Sequence, residues 1–150
     1  MLALGSIQTT VAAAIAARAY MTQAPAVSCI VDDGIQDSAI EAQLRTRGCV
    51  VVVPPIVRAA RRDIGAGKLA MDAEVVVRIL LNPTANGAAG AANRNIYTLI
   101  SEATSAVLGW VPATPGDRRF ETSDEFLQLL TNDPGLIAYE LSFAKISTLN

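Results

Sequence analysis

Two β-branched runs constrain the fold of this chain more than any other feature. Cys49-Val-Val-Val-Val53 continues to Val57, and Met71 to Leu81 holds Val75, Val76, Val77, Ile79 and Leu80. Side chains this stiff at χ1 fit a pleated surface better than a helix, so both runs predict strands. The intervening Arg58 to Ala70 contains the turn Gly65-Ala-Gly67, which predicts a long hairpin over 49–81. Pro54-Pro55 cannot donate ladder hydrogen bonds and must lie at an edge, a bulge or a bend.

Helical periodicity surrounds that hairpin. From Ser6 to Thr22 the residues Ile7, Val11, Ala14, Ile15 and Ala19 recur at three- and four-residue spacing, with Ser6 as the expected cap. Ala24-Pro-Ala26 imitates a signal-peptide cleavage site, but there is no basic n-region, so a soluble helix is expected. A short strand, Val27 to Val31, closes at Asp32-Asp33-Gly34. Ser38-x-x-Glu41 has capping-box spacing and predicts a helix over 38–47, ended by Gly48 and open to the alternative of a loop.

Asn82 to Ala91 reads as a mobile loop of small residues. A second long helix is expected over 93–108, capped by Asn93, with Ile96, Leu99, Ile100, Ala103 and Val107 facing the core and Gly109 ending it. Thr122 to Leu130 fits a strand or a helix. Asn132-Asp-Pro-Gly135 then turns into a strand from Leu136 to Ile146, whose odd-numbered positions carry the larger apolar set. The expected class is α+β: a mainly antiparallel sheet with a long β-hairpin and two main helices packed on one face. At 150 residues the chain is expected to be one domain.

The chain has no histidine, which removes Ser-His-Asp and Cys-His catalysis, histidine bases and imidazole metal sites. Cys29 and Cys49 each sit in an apolar run without CxxC spacing and read as buried reduced thiols. Gly65-Ala-Gly67-Lys-Leu-Ala70 fits a relaxed dinucleotide fingerprint, but a β-rich segment follows where a helix is required, so a hairpin turn is expected. Asp32, Asp33 and Asp37 lack EF-hand spacing. No catalytic residue, cofactor or metal is therefore expected, and the chain reads as a non-enzyme.

Charge is segregated along the chain. Residues 45–68 carry Arg45, Arg47, Arg58, Arg61, Arg62 and Lys68 against the single acid Asp63, whereas residues 121–140 carry Glu121, Asp124, Glu125, Asp133 and Glu140 with no base. Two solvated faces would account for this. So would head-to-tail self-association, in which the basic hairpin of one subunit meets the acidic segment of the next; such contacts form a ring when the rotation closes. Nucleic-acid binding is disfavoured, because the net charge is −2 and no aromatic residue interleaves the arginines.

A leading helix, a strand, a long hairpin, a helix after a small-residue loop and a closing hairpin through Gly135-Leu-Ile-Ala-Tyr-Glu-Leu-Ser-Phe143 together resemble the phage tail terminator, or tail completion, family. The resemblance covers most of the chain and rests on length and element order. It implies a structural virion protein that forms a homohexameric ring, caps the tail tube, stops its polymerisation and offers a docking surface to the head connector. The implied partners are further copies of the chain, the tail tube protein and the head-tail connector protein, with genomic DNA passing through the ring without sequence-specific binding. The implied location is the tail-neck junction of the virion, after assembly in the host cytoplasm and without membrane contact. A neck or head-completion adaptor is the competing reading, and a small enzyme is a third. The residues expected at subunit or partner interfaces are Arg58, Arg61, Arg62, Lys68, Asn82, Asn86, Gly87, Gly90, Glu121, Asp124 and Glu125.

Overall fold

The computed structural model describes residues 4–56, 58–63, 69–113, 115 and 117–149. The elements run α1 (Leu4–Ala16), α2 (Ala19–Thr22), β1 (Cys29–Val31), α3 (Asp37–Thr46), β2 (Cys49–Val53), β3 (Arg58–Asp63), β4 (Leu69–Leu81), α4 (Pro83–Asn86), α5 (Ile96–Leu108), β5 (Glu121–Asp133) and β6 (Leu136–Leu149). The strands form one mixed sheet of order β1-β2-β4-β6-β5, with β3 also paired to β4. Only β1–β2 is parallel, joined through α3 as a parallel crossover requires. The molecule is α+β, as its patterning predicts.

The expected hairpin is present but bent. β2 pairs with Val52-partnered Arg78 through Leu81 at one end of β4, and β3 pairs with Leu69 through Glu74 at the other. The break between β2 and β3 falls at Pro54-Pro55, where the ladder would lack two donors. The half-buried Gln8 of α1 donates from Nε2 to the Pro54 carbonyl at 2.7 Å, tying the bend to the helix layer. The hairpin tip, with Gly65, Gly67 and Lys68, lies outside the described residues.

The sheet's alternation sorts its side chains. Cys49, Val51 and Val53 of β2, Val75, Val77 and Ile79 of β4, and Leu141 and Phe143 of β6 share one core with Ile7, Val11 and Ile15 of α1 and Leu99, Ala103 and Val107 of α5. Burying a side chain of this size contributes about 1.5–3 kcal/mol. The two main helices thus cover one face, as expected.

Several local expectations are corrected. The first helix is broken rather than continuous over 6–22: Arg18 is extended at ψ 136°, which turns the chain so that α2 drives Met21 into the core. Ser6 lies inside α1 rather than capping it, and Ala19 of the expected apolar stripe is exposed. The segment 38–47 is helical over Asp37–Thr46, but no side chain caps it, and Asp37 favours the positive helix start from inside the first turn. Asn95, not Asn93, caps α5, accepting from the backbone N–H groups of Tyr97 at 2.9 Å and Thr98 at 3.2 Å. Asn93 takes a left-handed φ of 49° instead. The ambiguous segment 122–130 is strand.

Candidate assembly surface

The expected mobile loop is built structure. Asn82 caps α4, accepting from Ala85 N–H at 3.0 Å. Asn86 is buried, and its side chain accepts from Arg94 N–H at 2.9 Å and donates to the Arg94 carbonyl at 2.8 Å. Gly48, at φ +83°, approaches so closely that a Cβ there would stand 2.1 Å from the Asn86 Cα. Asn82 and Asn86 therefore hold the fold together, while Pro83, Thr84 and Gly87 to Gly90 form an exposed rim.

Arg94, which no motif singles out, completes this junction. Its guanidinium donates to the carbonyls of Ala92 at 2.9 Å, Gln23 at 2.7 Å and Pro25 at 3.2 Å, and stacks 5.0 Å from the centre of the Tyr20 ring. A buried cation is tolerated here because carbonyl dipoles and an aromatic face replace most of its water, although its Nε finds no hydrogen-bond partner among the described residues. The sequence signal was a charged residue flanked by two asparagines, a pattern too common to point inward.

Lys145 is the second surprise. Alternation placed it on the apolar face of the last strand, where its side chain is fully buried. Its ammonium pairs with Asp117 at 2.8 Å, donates to the Arg118 carbonyl, and lies 5.4 and 5.8 Å from the rings of Trp110 and Phe120. Burial works to raise the Asp117 carboxyl, but the hydrogen bond and charge of Lys145 outweigh it and hold the group below its ordinary value. The cluster fastens the segment between α5 and β5 to the sheet.

The thiols are free and inert. β1 and β2 are neighbours, but the register sets Cys29 opposite Val51 rather than Cys49. Burial pushes Cys29 up to about 12 and Cys49 up to about 11, with Arg94 pulling the latter down in part. Among the described residues, no group of three or more Cys, Asp or Glu is placed to hold a metal, and no helix is long and apolar enough to cross a membrane.

The unusual surface is at β5. Among the described residues this strand pairs with β6 alone, and its register places Leu127 opposite Leu141 and Leu129 opposite Tyr139, on the helix-covered side of the sheet. The helix layer stops short of it: Leu127 and Leu129 are 49% and 48% exposed, and Tyr97, at the start of α5, is 66% exposed while its ring lies 6.4 Å from that of Tyr139. An apolar strip thus runs from Tyr97 to Leu127 along the edge. Below it, β5 advances five residues from Thr122 to Leu127 while β6 advances two, from Phe143 to Leu141. This bulge carries the exposed Asp124 and Glu125 and folds Phe126 against Phe143 at 5.6 Å.

The interface residues expected from sequence therefore separate into three places. Arg58, Arg61 and Arg62 belong to β3 on one side of the sheet; Glu121, Asp124 and Glu125 belong to β5 on the other; Asn82, Asn86, Gly87 and Gly90 belong to the α4 junction. No protein-family model and no curated protein sequence matches the chain.

Proposed function

We propose that this chain is a structural assembly protein that joins copies of itself head to tail into a ring capping a phage tail tube. The carrying observation is that the basic strand β3 and the acidic strand β5 lie on opposite sides of one sheet. Complementary patches on different surfaces make a heterologous contact, and a closed heterologous ring has two chemically different faces. A cap needs that asymmetry, because one face binds the growing end and the other halts addition by occupancy while meeting the connector. The element order that resembles the tail terminator family supports this reading, as do the exposed backbone and small side chains of Gly87 to Gly90, which suit close contact with a partner.

The test is native mass together with tail length. A hexamer from the purified chain, and tails of uncontrolled length when the protein is absent from an assembling phage, are the expected results. Normal tails without it would overturn the capping role, and a dodecamer would favour a connector.

A further inference from the structure

We infer that β5 of one copy seats against the stepped edge formed by β1 and β3 of the next, with the apolar strip at Leu127 and Leu129 covered by β1 and Glu121, at the start of β5, level with Arg58 of β3. The inference deepens the ring reading and rests on its self-association, not on its tail partner.

Strand direction makes the contact favourable. β5 runs with β4, because both are antiparallel to β6; β3 is antiparallel to β4, and β1 runs parallel to β2, which is itself antiparallel to β4. When copies repeat side by side in one orientation, β5 therefore meets both β1 and β3 antiparallel, the more stable pairing. Among the described residues, β1 pairs only with β2, β3 only with β4 and β5 only with β6, so each keeps an outer edge.

The register brings matching chemistry to the same level. Leu129, Tyr139, Ile79, Val51 and Cys29 form one row across the sheet, ending in an apolar residue at each edge. Glu121, Ala144, Glu74 and Arg58 form another, ending in opposite charges. The edge shapes match as well. β1 stands two strands out from β4 and β3 only one, so the second edge is recessed at the basic strand; the bulge leaves β5 at the level of Val75 to Val77, beside the break between β2 and β3, and Glu121 below it stands level with Arg58.

Charge also rejects the alternatives. Like charges disfavour β5 against β5 and β3 against β3, while β3 against β5 pairs opposite signs. The acids and the bulge thus guard β5 from indiscriminate edge pairing and leave it open to a basic strand.

The test uses two full-length variants, Arg58→Glu and Glu121→Arg, each verified as folded by circular dichroism and followed by native mass. Each alone should lose assembly, with at least a tenfold rise in the concentration needed. An equal mixture should regain it, because the acidic β5 of the first variant then meets the basic β3 of the second, and the reverse contact is equally matched. Assembly that ignores the substitutions, or that mixing fails to restore, overturns the β3–β5 contact while a wild-type hexamer leaves the ring reading standing. A wild-type monomer overturns both. As a second readout, Leu129→Asp, on the exposed strip, should keep the fold by circular dichroism and lose assembly; assembly that ignores it would take β5 off the β1 edge and refute that half of the inference.

Discussion

β4 and β5 are both thirteen residues long, yet one lies in the core and the other at its margin. β4 is hydrogen-bonded on both sides, and Val75, Val77 and Ile79, on the face beneath the helices, are fully buried. Among the described residues β5 has the single neighbour β6, and its leucines stand about half in water although Leu127 faces the fully buried Leu141 across the ladder. Strand length and apolar content do not by themselves bury a residue. A place between two strands and beneath a helix does, and β5 has neither.

The sharpest way to break this contrast is at Lys145. Lys145→Met removes the buried ammonium of the ion pair from beside Asp117, a loss of about 3–5 kcal/mol in denaturant unfolding. Adding Asp117→Leu should recover most of it; if the double variant is no more stable than the single, the ion pair is not what holds the segment before β5.

Truncation across one ladder pair compares the strands directly. Leu141→Ala should cost about 2–5 kcal/mol, as buried leucines do. Leu127→Ala, its partner on β5, should cost about 0.5 kcal/mol or less in the isolated subunit. Equal costs by urea unfolding would mean that the β5 strip is covered within one chain.

A smaller effect is expected from pH. The folded Asp117 carboxyl titrates below its ordinary 3.8, so the unfolded chain binds its proton first as pH falls. Its contribution is whole above that value and drains away as pH drops through the folded value. Asp117→Asn should flatten the acid limb of the stability curve below about pH 4, and an unchanged limb would assign acid sensitivity to other carboxylates.

Much of this architecture was legible in the residues. The valine runs of β2 and β4, the alternation of β6 and the apolar stripe of α5 each repeat one local period, and a local period reports directly which face is apolar. The cap of α5 was misplaced by two residues because Asn93 and Asn95 offer the same chemistry, and only backbone conformation separates them. The Asn82 to Ala91 segment misled for the opposite reason. Its small residues suit a mobile loop and suit close packing equally, and the contact that decides between them comes from Gly48, far away in the chain.

The sequence by itself determined the α+β class, the hairpin, the two main helices, the absence of histidine chemistry and the segregation of charge between residues 45–68 and 121–140, since each depends on neighbours along the chain. Only the tertiary structure decided that Arg94 turns inward, that Lys145 meets Asp117 there, that Asn86 is an anchor, and that the basic and acidic strands stand on opposite sides of one sheet. Those outcomes depend on which strand lies beside which. Strand order is set by the joint burial of distant segments, a sum over the whole core that no local pattern contains.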